Sequence, residues 1–267
     1  MRRSLVLLVA ILMGLVGYML GHPQPVFAHA SEADLQEIQT LWEGSVHALA
    51  DVNCSSCHQQ DETNAFIAHP DHESCQSCHD AQVDTFLLGK HGIRLFEGMS
   101  PLTPAMARLP MKADAHNRQM TCNTCHDVHS VNTVQASVDS CLTCHNDTHS
   151  LNYENSRHAE LFMADQGLPR PSSQAVSCST CHMPRQDLGS PSSPQVVVNH
   201  NNTFTLLPRD RMVIEVCMNC HGVEYSYNSI FDDDLVEANF DKPPSLSLET
   251  FDLVRTFEKQ RTSQDSE

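Results

Sequence analysis

All twelve cysteines of this chain occur in six copies of one pattern, C-x-x-C-H, and none is left over. The copies are Cys54–His58, Cys75–His79, Cys122–His126, Cys141–His145, Cys178–His182 and Cys217–His221. Two cysteines one turn apart can each form a thioether with a haem vinyl group, and the histidine that follows can bind the iron. A zinc site or a redox pair would also use C-x-x-C, but neither requires a histidine directly after the second cysteine.

The pattern therefore predicts six covalently bound haem c groups. It makes Cys54, Cys57, Cys75, Cys78, Cys122, Cys125, Cys141, Cys144, Cys178, Cys181, Cys217 and Cys220 the attachment residues. His58, His79, His126, His145, His182 and His221 are then the proximal ligands.

Histidine is abundant outside the motifs as well, which bears on the second axial position of each iron. The chain has 17 histidines, of which six are in the motifs and two, His22 and His29, lie near the N-terminus. We predict six of the other nine as distal ligands: His47, His91, His129, His149, His158 and His200. The remaining three are weaker candidates: His69, His72 and His116. Two imidazoles fill both axial positions and leave no place for a substrate, which is the arrangement of an electron carrier.

The N-terminal 30 residues have the composition of an export signal. Arg2 and Arg3 precede an apolar run from Leu5 to Leu20, and Ala28-His29-Ala30 resembles a signal-peptidase site. We expect cleavage before Ser31 and a periplasmic location, or one on the outer face of the cytoplasmic membrane. The alternative is an uncleaved N-terminal membrane anchor, although 16 apolar residues are short for a span of about 20.

The remaining chain is small for six haems, so the cofactors rather than side chains should form its centre. We expect a mainly α-helical fold with much irregular structure, wrapped around a row of stacked haems as in a multihaem cytochrome c. Residues 31–240 form the haem domain and residues 241–267 a C-terminal helix and tail. Helical spacing predicts helices after Ser31 and after Ser247, and Val196–Val198 is the one β-branched run. Residues 167–175, 189–194 and 239–244 are expected to be loops or breaks.

The chain is strongly acidic, with 33 Asp and Glu against 16 Lys and Arg and a formal net charge of −17. This balance argues against a nucleic-acid partner. A redox partner with a basic patch would be steered toward such a surface. The alternative is that the acidity serves solubility alone.

Several stretches resemble the hydroxylamine oxidoreductase-like family of multihaem c-type cytochromes, and some also resemble the related pentahaem nitrite reductases. The match covers roughly residues 47–240 and includes residues between the motifs. The stretches that carry it are Leu88–Gly92, Leu102–Lys112, Cys122–His129, Cys141–Ser150, Cys178–Pro184, Asn199–Asn201 and Arg209–Asp210.

This resemblance implies a shortened, six-haem member of the family, in which the haem on Cys75, Cys78 and His79 occupies the reactive position. It further implies that an acid and a histidine before the next motif serve that position, and Asp114 and His116 fall in this interval. The tyrosine that cross-links to the reactive haem in hydroxylamine oxidisers has no counterpart here.

Two functions are therefore expected from the sequence. The first is transfer of single electrons along the haem row between redox proteins, such as a membrane quinol-oxidising cytochrome and a terminal reductase. The alternative is an oxidoreductase that reduces nitrite or hydroxylamine at an open second haem, with Asp114 and His116 as catalytic proton donors. A homo-oligomer is expected by resemblance, with the C-terminal helix around Phe251 and Phe257 as a candidate contact.

Overall fold

The structure is a computed structural model, and it describes residues 31–60, 63–166, 174–187 and 195–264. The predicted export signal, and most of the loops predicted at 167–175 and 189–194, lie outside these residues. The chain divides into two units, residues 1–44 and residues 45–267. None of the described helices is long and apolar enough to cross a membrane.

The described chain is mainly helical with much irregular structure, as the sequence predicts. Most helices are one to three turns long. The α-helices are Glu32–Glu43, Val46–Leu49, Ser55–His58, His72–Gln76, Asp80–Leu88, Ile93–Phe96, Cys122–Cys125, Thr133–Ser137, Asp139–Leu142, Thr148–Asn152, Arg157–Asp165, Cys178–His182, Asp210–Glu215, Val223–Phe231, Asp233–Glu237 and Glu249–Gln264. The 3-10 turns are Pro104–Met106, Ala113–Ala115, Tyr153–Asn155 and Cys217–Asn219.

One small antiparallel sheet interrupts the helices. Strand Arg185–Asp187 pairs with strand Val196–Val198, with Gln186 opposite Val197. The β-branched run at 196–198 is therefore a strand, and its central Val197 is buried. His200 follows two residues after the second strand, and its N–H donates to Thr85 of helix Asp80–Leu88.

Both helices predicted at the ends of the chain are present. Ser31 caps helix Glu32–Glu43 with a capping box, in which its side chain accepts from the Asp34 N–H and Asp34 accepts from the Ser31 N–H. At the other end, helix Glu249–Gln264 lies against helix Val223–Phe231 of the same chain through Tyr227 and Phe251, whose ring centroids are 6.2 Å apart. The break predicted at 239–244 begins with Asn239 and Phe240, which both have positive φ.

Buried hydrophobic side chains form two small clusters. One consists of Val138, Tyr153 and Ala159, and the other of Met212, Val213 and Ile230. Motif cysteines border both, since Cys178 packs on the first and Cys181 and Cys217 on the second. The hydrophobic core of the described chain is thus built around the attachment sites.

Candidate haem-binding sites

Each C-x-x-C-H motif forms a single tight turn that brings the backbone of its histidine next to that of its first cysteine. The histidine N–H donates to the carbonyl of the first cysteine in five motifs at 2.9–3.0 Å. The sixth histidine, His182, ends the helix Cys178–His182. This turn brings the two cysteines and the histidine of a motif close together, which thioether attachment and iron ligation both require.

Local sequence explains why two of these turns are so well defined. Thr121 and Ser177 each precede a first cysteine and act as N-caps, with Thr124 and Thr180 completing the capping boxes. Capping satisfies N–H groups that a turn this short cannot satisfy by itself. The motif turns at 122–125 and 178–182 are therefore stabilised by residues of their own segments.

The structure places a second histidine opposite every motif histidine. The ring centroids of the six pairs are 6.1–6.3 Å apart. The pairs are His58–His129, His79–His47, His126–His200, His145–His91, His182–His149 and His221–His158. The partners are the six residues that the sequence analysis ranks first as distal ligands.

This distance fits one metal ion held between two imidazoles. A metal bonds an imidazole nitrogen at about 2 Å, and that nitrogen lies about 1 Å from the ring centroid, so two imidazoles on opposite sides of one ion have centroids about 6 Å apart. No group of three or more His, Cys, Asp or Glu side chains suited to a bare metal ion occurs in the described residues. The arrangement therefore suits a ligand that supplies its own equatorial donors, as a porphyrin does, better than a tetrahedral zinc site.

Hydrogen bonds to Nδ1 orient several of these rings. His58 Nδ1 lies 2.7 Å from the Ile67 carbonyl, His149 Nδ1 2.5 Å from that of Val236, and His200 Nδ1 2.9 Å from that of Val198. A backbone carbonyl at Nδ1 fixes the proton there and leaves Nε2 free to bind a metal. Three of the twelve paired rings are thus held in the tautomer that iron ligation needs.

Two loops that carry distal histidines also pack on each other. The His91 N–H donates to the side-chain oxygen of Asn202, and the His200 N–H donates to Thr85 in helix Asp80–Leu88. Gly89 is needed at this contact, because a Cβ there would lie 2.7 Å from the Asn202 side chain. The stretch Leu88–Gly92, which the sequence analysis singled out by resemblance, is therefore where His91 and His200 are fixed together.

Burial keeps the innermost of these histidines neutral. Burial lowers the pKa of His91 to about 4, with further contributions from His145 and Lys90. Burial likewise lowers the pKa of His182 to about 4, assisted by His149, His145 and His91. A neutral imidazole has a free lone pair, so these rings are in the protonation state that binds a metal.

Each motif lies in space beside the motif that follows it in the sequence, through the thiols of their cysteines. A hydrogen bond with Cys122 raises the pKa of Cys75, and one with Cys178 raises the pKa of Cys141. Burial raises the pKa of Cys125 and Cys181 to about 12, with contributions from Cys141 and from Cys217 respectively. The thiol neighbours that link consecutive motifs are Cys57 with Cys75, Cys75 with Cys122, Cys125 with Cys141, Cys141 with Cys178, and Cys181 with Cys217.

The weaker candidates belong to none of the six pairs. His69 and His116 are exposed, and His72 is half-buried at the start of helix His72–Gln76. Asp114, the other residue of the alternative catalytic pair, is exposed in the turn Ala113–Ala115. The structure therefore does not bring Asp114 and His116 into a histidine pair, and His47 faces His79 where the alternative requires an open position.

Sequence reasoning missed one feature of the site, a repeated segment D-x-H-S that follows two of the motifs. It occurs as Asp127–Ser130 and as Asp147–Ser150. Each copy carries one distal histidine, His129 or His149, and each aspartate binds the serine of its own copy. The signal was present in the sequence, because both copies come within two residues of a motif histidine.

Comparison with known proteins adds little to this description. No protein-family model matches the chain, and no curated protein matches it. A solved structure, a reducing HAO-like protein complex of Kuenenia stuttgartiensis, is similar with 20% sequence identity and a TM-score of 0.49. The similarity covers 79% of this chain and 57% of that one, so the chain spans little more than half the length of that protein.

Proposed function

We propose that this protein is an exported c-type cytochrome with six haems that transfers single electrons between redox partners. One observation carries the proposal: every C-x-x-C-H histidine faces a second histidine with ring centroids 6.1–6.3 Å apart. In this proposal each motif holds one haem c by two thioethers. The paired histidines are its two axial ligands.

Haem c supplies a one-electron Fe(III)/Fe(II) couple when bound. The residues of the chain determine how that couple is used. Two imidazoles at each position occupy both axial sites and exclude substrates from the iron. A protein in which all six positions are filled in this way has no place for an added small molecule to bind iron, and electron transfer is the activity that remains.

The order of the motifs supports a continuous path. Consecutive motifs are neighbours through their thiols, from Cys57 and Cys75 at one end to Cys181 and Cys217 at the other. The D-x-H-S segment Asp147–Ser150 adds a short covalent connection between consecutive motifs, since His145 and His149 are four residues apart and His149 pairs with His182. We propose that electrons follow the order of the motifs along the chain.

Nothing in the described geometry favours the alternative reductase. His47 lies opposite His79 with centroids 6.1 Å apart, and the proposed proton donors Asp114 and His116 are exposed. Reduction of nitrite or hydroxylamine would require His47 to leave this position.

The charge distribution supports a partner with a basic docking surface. Residues 45–89, which contain the first two motifs, have seven acidic residues and neither lysine nor arginine. Residues 90–267 have 22 acidic and 14 basic residues. Attraction of a basic partner would therefore be strongest at the end of the row that includes Cys54 and Cys57.

Mass and spin state test the proposal directly. The protein should be produced with its leader in a host that matures c-type cytochromes. The secreted protein should begin at Ser31 and have the mass of the polypeptide plus six haems. Electron paramagnetic resonance of the oxidised protein should show low-spin iron alone.

Matched histidine variants then test the pairing. His149→Ala should convert one haem in six to a high-spin form that binds cyanide, because His149 is the partner of His182. His72→Ala should leave all six low-spin, because His72 belongs to no pair. A bare polypeptide mass would refute the proposal, and a high-spin haem in the unmodified protein would instead favour the reductase.

A further inference from the structure

The two D-x-H-S segments make similar turns that differ in one backbone hydrogen bond. In the first, the Asp127 side chain accepts from the His129 N–H at 3.2 Å and from the Ser130 hydroxyl at 2.7 Å. In the second, Asp147 accepts from the Ser150 N–H at 3.1 Å and from the Ser150 hydroxyl at 2.8 Å. Each aspartate thus closes a turn that presents a histidine to another motif, His129 to His58 and His149 to His182.

The copies differ by one inserted residue, and this changes the surroundings of one aspartate. Asp127 follows His126 directly, whereas Asn146 separates Asp147 from His145. With the insertion, Asp147 Oδ2 lies 3.4 Å from His145 Nδ1. In the described part of the chain, His145 is the one motif histidine with a carboxylate within 4 Å of a ring nitrogen.

The aspartate is well placed to act on the imidazole. Its side chain is 15% exposed and that of His145 is 26% exposed, so water screens their interaction only partly. The hydrogen bonds from Ser150 hold the carboxylate in place, and they leave it facing the ring. His91 lies across the site from His145, with the two ring centroids 6.3 Å apart.

We propose that Asp147 is a positioning residue that lowers the reduction potential of the haem held by Cys141, Cys144, His145 and His91. This inference rests on the proposed function. A negative charge 3.4 Å from Nδ1 polarises the ring and makes Nε2 a stronger electron donor to the iron. Its negative charge also stabilises the more positive, oxidised iron. Both effects favour Fe(III), so the fourth position of the row holds an electron less readily than it would without Asp147.

The variant Asp147→Asn tests this inference in the complete six-haem protein. Asparagine is as good an N-cap as aspartate, so the turn and His149 should stay in place while the charge is lost. We expect one of six one-electron components to shift to higher potential. The ratio of oxidised to reduced haem at a fixed potential should change about tenfold, which is about 59 mV for a one-electron couple. The measurement is a redox titration followed by visible absorption and by electron paramagnetic resonance.

Asp127→Asn is the comparison variant, because it removes the same charge from the other copy, where the carboxylate binds the His129 N–H and Ser130 but is not paired with a motif histidine ring. Its titration curve should shift less than that of Asp147→Asn. Ser150→Ala keeps the carboxylate and removes one of its hydrogen bonds, so its curve should shift less than that of Asp147→Asn. If Asp147→Asn does not mature, Asp147→Ser tests the same point, since serine also caps a helix.

The outcomes separate this inference from the proposed function. Six low-spin haems with no shifted component in Asp147→Asn would overturn the role of Asp147 and leave the electron-transfer proposal intact. An equal shift in Asp127→Asn would also overturn it, because the effect would then follow general charge rather than contact with His145. A protein without haem would refute the proposed function itself.

Discussion

The first and last parts of the motif array are held together in different ways. Residues 45–89 contain two motifs but bury few large apolar side chains, with Val83 the one buried hydrophobic residue there. Residues 195–240 contain one motif and bury Val197, Met212, Val213, Ile230 and Leu235. Cys54 and Cys78 are exposed in the first part, whereas Cys217 of the second packs on the cluster of Met212, Val213 and Ile230.

This difference indicates that the two parts depend on the cofactors to different degrees. Burial of apolar surface contributes about 25 cal/mol per Å², so the last part gains stability from side-chain packing before any cofactor is considered. The first part has polar caps and short turns in place of such packing. Its shape should therefore depend more on covalently attached haem and axial ligation.

Truncation of a buried side chain in the last part should have the largest effect on the free energy of unfolding. Met212→Ala would leave a cavity beside Val213 and Ile230, which should lower the free energy of unfolding by about 2–5 kcal/mol. Ile214→Ala is the matched control, because Ile214 lies in the same helix but is 58% exposed. Guanidinium unfolding followed by helical circular dichroism measures both.

The control should change the free energy of unfolding by no more than about 0.5 kcal/mol, as is usual for exposed sites. Equal losses in Met212→Ala and Ile214→Ala would show that the cluster is not a core. The comparison between the two parts would then fail.

The next largest effect should come from the acidic residues of the first part, residues 45–89. Their removal should change the rate at which a reductant transfers electrons to the protein. The triple variant Asp51→Asn, Glu73→Gln, Asp84→Asn removes three exposed acids from a part of the chain with no lysine or arginine. Reduction by hexaammineruthenium(II), a small dication, should slow about tenfold at low ionic strength, because less of the reductant is attracted. Stopped-flow absorption measures the second-order rate constant.

The matched control removes three exposed acids from the last part, in Asp234→Asn, Glu237→Gln, Asp241→Asn. Its rate should change less, because basic residues such as Arg209 and Lys242 already offset the charge there. Both differences should shrink as salt shortens the range of electrostatic attraction. A larger effect in the control would place electron entry at the opposite end of the row.

The sequence predicted local features well because their causes are local. The helix predicted after Ser31 follows from the spacing of its own residues and has its cap within its first turn. None of this required knowledge of how distant parts of the chain meet.

Which histidine faces which motif could not be predicted, because the pairing joins distant positions. His200 lies 74 residues after His126, and the sheet Arg185–Asp187 with Val196–Val198 brings it back. Contacts between distant motifs could not be predicted either, since Cys75 and Cys122 are neighbours across a gap of 47 residues.

The smallest effect on the free energy of unfolding is expected at a helix N-cap in the first part, where local hydrogen bonds take the place of a hydrophobic core. Asp71 caps helix His72–Gln76, its side chain accepting from the Glu73 N–H at 3.0 Å. This helix contains Cys75, so the cap helps to fix an attachment site. Asp71→Ala should lower the free energy of unfolding by about 1 kcal/mol, which is typical for loss of a cap.

Asp71→Asn separates the cap from the charge, because asparagine caps as well as aspartate but is neutral. We expect Asp71→Asn to unfold at nearly the same guanidinium concentration as the unmodified protein, and Asp71→Ala to unfold earlier. Equal destabilisation in both would assign the effect to charge instead. The cap itself would be dispensable if neither variant changed the transition, since attachment through Cys75 would then suffice to form the turn.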